Sequence, residues 1–307
     1  MTDLYKAAPY VRLHRGKTFV LKAGGGAIAR PAGMRALARQ IAVVHSLGAR
    51  IVVVHGGGPQ TDLLQKQLGD EPRMVDGRRV TTAIALRALR MATAGELHSE
   101  ILGAMRAEGA PAVGVSGTSV LTAAKRPPIP TSQGLVDFGL VGDLRGIEAR
   151  PLHALLDAGC IPVISPPASD GAGGALNVNA DLAAAALATA LGAAKLVLLT
   201  GAPGILRSPT DPLSLVSALS LSDLDELDKA GAIQAGMRVK ATAIRTALAG
   251  GVGRVHVVSG TDPDALIREL YTTHGAGTLV TREPERAPVA EPAPLGVESN
   301  GAEAAAS

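Results

Sequence analysis

Lys22 is followed by Ala23-Gly24-Gly25-Gly26, and a second glycine cluster reads His55-Gly56-Gly57-Gly58-Pro59-Gln60. Glycines let backbone N–H groups approach an anion closely, and a lysine beside them adds a formal positive charge. The first cluster matches neither the P-loop pattern nor a dinucleotide fingerprint, and alone it also reads as an ordinary tight turn. In the second, Pro59 suits the first turn of a helix, whose free N–H groups and dipole favour negative charge. Two such turns at the ends of successive strands point together to a phosphate cradle, which neither does alone. His55 reads as a structural hydrogen-bonding residue rather than a catalytic base.

Three further segments carry polar chemistry. In Asn177-Val178-Asn179-Ala180-Asp181, an extended backbone would point Asn177 and Asn179 to one side. Asp181 would then fall in the first turn of the following helix, where capping is its competing role. Lys240, in Gly236-Met237-Arg238-Val239-Lys240, and Arg79, in Gly77-Arg78-Arg79-Val80-Thr81-Thr82, could each equally be solvated surface charges. The segment Gly114-Val115-Ser116-Gly117-Thr118 lacks the second glycine of a nucleophile elbow, which removes a serine hydrolase from consideration.

The elements that must position these residues follow from periodicity. Strands are expected at 18–21, 51–54, 112–115, 161–164, 195–199, 254–258 and 278–281, and helices at 34–47, 59–68, 83–107, 180–191, 237–249 and 264–271. Apolar strands alternating with helices predict a three-layer α/β/α sandwich around a mostly parallel central sheet. In open sheets of this kind, ligands bind beyond the carboxyl ends of the strands, where both glycine clusters fall. Short segments at 121–124, 135–136 and 139–141, separated by Pro and Gly, predict a small antiparallel flap. Residues 1–16 are expected to form an N-terminal helix, with Tyr5, Tyr10 and Leu13 as candidate packing residues, ahead of a main domain at 17–283. That domain is expected to divide into a substrate-binding part, about 17–192, and a nucleotide-binding part, about 193–283. The Pro/Ala/Glu-rich stretch 284–307 has no apolar period and is expected to be disordered.

Bulk composition narrows the partners. A net charge of +3 with 2% aromatic residues gives little for nucleic acid to bind or stack on. No apolar run is long enough for a membrane span or a signal peptide, so a cytoplasmic protein is expected. The single cysteine, Cys160, can form neither an intramolecular disulfide nor a cysteine-based zinc site and reads as a small core residue.

Taken together, the five segments resemble the amino-acid-kinase family over about residues 18–280. The family's Lys–Gly–Gly turn corresponds to Lys22, Gly24 and Gly25, and its His-Gly-Gly-Gly-Pro-Gln turn is present unchanged at 55–60. Its Arg-Val-Thr, Asn-x-Asn-Ala-Asp and Gly-Met-x-x-Lys segments stand at 79–81, 177–181 and 236–240. The resemblance implies transfer of the γ-phosphoryl group of ATP to the side-chain carboxylate of an N-acylated acidic amino acid, N-acetylglutamate or, as the alternative, N-acetyl-aminoadipate or a carrier-linked analogue. It implies Lys22 and Lys240 as charge-stabilising catalytic residues, with Asp181 orienting both. It implies that Gly24, Gly25, Gly57 and Gly58 hold phosphate oxygens, that Arg79 binds the α-carboxylate, and that Asn177 and Asn179 hold the acylated end. Mg²⁺ would be carried by ATP, with no protein metal site.

Some positions depart from the family pattern. Gly201 stands where an aspartate usually follows the strand beside the nucleotide, and His98-Ser99 replaces an Asn-Lys pair. The stretch 8–20, with His45-Ser46-Leu47-Gly48, is also similar to the kinase-like domain of N-acetylglutamate synthases. Glu269, Gly275 and Gly277 match part of an arginine-site pattern, and the N-terminal helix resembles one that joins dimers into hexamers. These features imply a homodimer or hexamer and a possible arginine effector; a non-catalytic arginine-binding subunit is the competing reading.

Overall fold

The computed structural model describes residues 2–234 and 236–284; the expected disordered tail lies outside the described residues from 285 onward. Its centre is an eight-stranded sheet built from β1 (Thr18–Ala23), β2 (Arg50–His55), β3 (Ala112–Ser116), β4 (Ile161–Ser165), β5 (Lys195–Thr200), β6 (Ala218–Ser220), β7 (Arg254–Ser259) and β8 (Thr278–Thr281). The spatial order is β6-β8-β7-β5-β1-β2-β4-β3. All neighbouring pairs are parallel except β7 with β8. The helices used below are α1 (Thr2–His14), α2 (Pro31–Ser46), α3 (Gly58–Gln67), α4 (Ala83–Leu89), α5 (His98–Ala107), α6 (Ala180–Ala190), α7 (Gly236–Ala249) and α8 (Ala265–Tyr271).

Strand alternation sorts β1 between two cores. Val20 packs with Val52, Val54, Leu196 and Leu198 against the alanine-rich α6 and α7. Phe19, Leu21 and Ala23 face the other way, with Ile51, Val53, Val197 and Leu199, against α2, α5 and α8. Burying each Val, Leu, Ile or Phe contributes roughly 1.5–3 kcal/mol, so both faces hold the sheet firmly. The small side chains of Ala183, Ala184, Ala185 and Ala188, all buried, let α6 lie close to β1 and α7. Lys22, two residues after Val20, therefore points to the α6 side at the carboxyl end of the strand.

The chain order reverses between β1 and β5: β2, β4 and β3 lie on one side, and β5, β7, β8 and β6 on the other. This is the switch point at which α/β sheets open a crevice for ligands. The small sheet beside it is more elaborate than the expected flap. Leu121–Lys125 runs antiparallel to Gly142–Ile147 and parallel to Ala168–Ser169, which pairs with Ala175–Leu176. Residues 139–141 form only isolated bridges, Thr81 to Gly139 and Val141 to Asn177, with the strand following them. Two hairpins, 74–79 and 129–136, close over a small cluster of Val75, Val136, Phe138 and Val141.

Two other expectations change. The pattern at 83–107 is not one α-helix: Arg90–Leu97 is a π-helical stretch between α4 and α5. In α1, Tyr5 and Leu13 are exposed, while Ala7, Tyr10 and Val11 pack and His14 is buried between Phe19 and Tyr271. The docking of α1 on α8 decides which face is inside, so of the three expected packing residues only Tyr10 packs.

Candidate active site

Asp181 is the centre of the site. Its Oδ1 lies 3.0 Å from the Lys22 ammonium as an ion pair, and its Oδ2 accepts a hydrogen bond from Lys240 Nζ at 3.3 Å. Lys22 comes from β1, Asp181 from the first turn of α6 and Lys240 from α7, and all three side chains are largely buried. Burial pushes the Lys22 ammonium below its ordinary pKa, the Asp181 carboxylate opposes that shift, and Lys240 adds to it. Two cations on one carboxylate leave a net positive charge at the crevice, which an incoming anion can neutralise.

Asn179 sets the geometry of Asp181. Its Oδ1 accepts from the N–H groups of Asp181 at 2.9 Å and Leu182 at 3.2 Å, so it caps α6. The competition posed in the sequence is thereby resolved: Asn179 is the cap and Asp181 is the ion-pair centre. Asn179→Ala is expected to cost about 1 kcal/mol of stability, seen as a lower urea midpoint.

The glycine clusters converge on the same end of the sheet. A Cβ on Gly25 would stand 3.1 Å from Pro59, and one on Gly26 would stand 3.6 Å from Gly201 Cα, so all three turns are in contact distance. Gly24 serves the seam between strands: its N–H donates to the Leu199 carbonyl at 3.2 Å, and a Cβ there would be 2.7 Å from that oxygen. Its N–H is thus occupied, which leaves Gly25, Gly57 and Gly58 as the anion-facing candidates. Gly57 must lack a side chain, since a Cβ would fall 2.4 Å from Thr93 Cγ2 of the π-helical stretch. Gly58 begins α3, where first-turn N–H groups have no intrahelical acceptor. A side chain at Gly201 would meet open space.

Arg79 and Asn177 are brought together through Thr81. Asn177 Nδ2 donates to Thr81 Oγ1 at 3.0 Å, and Thr81 is stitched to the flap by backbone bonds to Phe138 and Leu140. Arg79 leans on α3: it pairs with Asp62, and it donates to Gln65 Oε1 at 3.1 Å. Asp62 and Gln65 were not singled out from the sequence, although their positions about one and two turns into α3 after Gly58 placed them on a helix beginning at the site. Among the described residues, no three His, Cys, Asp or Glu side chains gather as a metal cage.

Below the second glycine turn lies a pair of histidines. His55 Nε2 is 2.9 Å from His98 Nδ1, and His55 Nδ1 is 2.9 Å from the Gly56 carbonyl oxygen. Burial holds His55 down at about 4 and lowers His98 as well. His14 is likewise held at about 4 by burial. Between pH 6.5 and 4 the unfolded chain takes up protons at His14 and His55 that the folded chain refuses. Stability is therefore expected to fall as pH drops through that window and to lose this contribution fully below 4, measurable as falling urea midpoints.

The sequence and the fold are paralleled in known proteins. A profile of the amino acid kinase family matches residues 17–259. The acetylglutamate kinase of Myxococcus xanthus is 46% identical over 293 residues, covering 93% of this chain and 95% of that protein. The acetylglutamate kinase of Archaeoglobus fulgidus is 36% identical over 282 residues, covering 90% and 97% respectively. Among solved structures, N-acetylglutamate synthase from Neisseria gonorrhoeae, complexed with coenzyme A and N-acetyl-glutamate, superposes with a TM-score of 0.81 at 32% identity. That alignment covers 92% of this chain and 64% of the synthase, so this chain spans under two thirds of the synthase's length. Giardia carbamate kinase, at 19% identity and a TM-score of 0.62, shares the fold. With the three-layer sheet, the glycine turns and the matched profile in agreement, this chain belongs to the amino acid kinase family.

Proposed function

We propose that this protein transfers the γ-phosphoryl group of ATP to the side-chain carboxylate of N-acetyl-L-glutamate. The observation that carries this reading is the buried Lys22–Asp181–Lys240 trio at the switch point of the sheet. The relatives named acetylglutamate kinase, at 36–46% identity over at least 90% of this chain, supply the acceptor.

The chemistry suits the residues. The acceptor carboxylate is already ionised near neutral pH, so no general base is required. What the protein must do is bring an anion to a polyanion and stabilise charge as the phosphoryl group moves between them. Lys22 and Lys240 stabilise that charge, and Asp181 holds both ammonium groups on one side of the crevice. The N–H groups of Gly25, Gly57 and Gly58 take phosphate oxygens. Arg79, braced by Asp62 and Gln65, binds the α-carboxylate, and Asn177, braced by Thr81, lies toward the acylated end with the free amide of Asn179. Gly201, after β5, borders the nucleotide. Magnesium arrives with ATP and screens the triphosphate.

The test is ADP release from MgATP with N-acetyl-L-glutamate, run beside glutamate and N-acetyl-aminoadipate. Turnover with acetylglutamate well above the other two supports the reading. Turnover with none of them overturns it.

Arginine as an effector belongs to the same proposal. Glu269 is buried, facing His256 Nδ1 at 2.6 Å and accepting from the N–H groups of Ala276 and Gly277. A bound arginine would need a carboxylate of this kind to pair with its guanidinium. An acetylglutamate-dependent rate that is unchanged in millimolar arginine disposes of it.

A further inference from the structure

We propose that His98 is a positioning residue for phosphoryl transfer, acting through His55 to fix the orientation of the Gly56–Gly57 peptide. The inference rests on the reading above and concerns the same site.

The direction of each hydrogen bond follows from the atoms. The Gly56 carbonyl can only accept, so His55 Nδ1 carries the proton of the 2.9 Å contact. Both rings are neutral near pH 7, because burial lowers both. His55 Nε2 is therefore a bare acceptor, and His98 Nδ1 must be the donor across their 2.9 Å contact. The relay runs one way, from His98 to His55 to the Gly56 oxygen.

A trans peptide places its carbonyl and its N–H on opposite sides. Holding the Gly56 oxygen back toward the histidines turns the Gly57 N–H away from them. Without the relay, this peptide is flanked by glycines, whose dihedral angles are the least restricted of any residue. The turn thus needs an external restraint, and His55, fully buried, supplies it only in one tautomer.

The surrounding structure serves that tautomer. The π-helical stretch Arg90–Leu97 has i→i+5 spacing, which suits Thr93 and His98, five apart, for one face. Thr93 then packs on Gly57 while His98 reaches His55. Thr93 is itself anchored, its one hydroxyl proton shared between the carbonyls of Leu89 at 2.6 Å and Pro166 at 3.1 Å. Gly114 of β3 leaves room for the ring: a Cβ there would be 2.6 Å from His98 Nε2.

The test compares three substitutions. In Asn the side-chain N–H₂ lies where His98 Nδ1 lies, whereas in Gln it reaches toward the position of Nε2, and Leu donates nothing. His98→Asn is expected to keep kcat within about threefold, while His98→Gln and His98→Leu lower it at least tenfold, following the loss of one oriented donor. The KM for acetylglutamate is expected to change less than threefold in all of them. Thermal melts confirm that each variant is folded, and His98→Gln serves if His98→Leu is not. Equal kcat for Asn and Gln, or a Leu variant as fast as the parent, overturns the proposal. Nitrogen-15 spectra of the histidines separate the relay from the assigned reaction: they should show His55 protonated at Nδ1 and bare at Nε2. The opposite tautomer refutes the relay even in an active enzyme. An inactive parent protein with the expected tautomer refutes the assigned reaction, and with it the positioning role of His98 in that reaction.

Discussion

Replacing Lys22 with Met is expected to lower kcat by about 10²–10³-fold, the usual cost of removing one preorganised charge-stabilising group. Methionine keeps the unbranched apolar stem of the lysine and lacks only the ammonium, so packing beside Val20 against α6 is retained. Asp181 also keeps its second cation, Lys240 at 3.3 Å, so the variant does not leave a bare buried carboxylate. Stability should therefore change little, and it could rise, since burial already disfavours the Lys22 charge. Steady-state ADP release gives kcat, and the shift of the melting temperature with MgATP reports nucleotide binding. A variant that retains more than a tenth of the parent kcat would sink the assignment of Lys22 to the chemical step.

Asp181→Ala carries the second large effect, and it acts on both stability and rate. Removing the carboxylate leaves Lys22 and Lys240 facing each other in a buried layer with no counter-charge. Breaking a buried pair by deleting one partner costs about 3–5 kcal/mol, because the remaining charge is uncompensated. Here two charges remain, and relief comes from deprotonation of Lys22, whose ammonium is the more buried of the two. A neutral lysine cannot stabilise a moving phosphoryl group, so kcat should fall by at least as much as in Lys22→Met. Anions should partly restore stability: MgATP or inorganic phosphate would raise the melting temperature of the variant more than that of the parent. Equal shifts in the two proteins would mean that the lysines do not face the anion site.

The contrast between these two substitutions follows from one geometric fact, that the carboxylate has two partners and each lysine has one. Deleting a lysine removes one interaction. Deleting the aspartate removes two and leaves a repulsion. A pair of isolated surface charges, the alternative that the sequence left open for Lys240, would give well under 1 kcal/mol for either change.

Much of the molecule is legible from residue order. The apolar runs around Val20, Val53, Val163 and Leu198 are β-branched or leucine-rich on both faces, which forces a covered parallel sheet with a helix on each side. Glycine clusters after two such strands, with Pro59 opening a helix, place an anion site at the strand ends because only there are backbone N–H groups free. Those inferences need only local periodicity and the steric freedom of glycine.

The pairing of distant residues is different, because it depends on which side chains the sheet order makes neighbours. Lys22, Asp181 and Lys240 are far apart in sequence and meet only because β1 lies centrally and α6 and α7 cover the same face. The role of Asn179 as cap, the occupation of the Gly24 N–H by Leu199, and the bracing of Arg79 by Asp62 and Gln65 are likewise decided by contact. His98 shows this most plainly. Its position inside the helical run 83–107 gives it no direction, since helix propensity barely distinguishes a π-helical turn from an α-helical one. Only the packing of that turn against Gly57, and of its histidine against His55, gives it a direction.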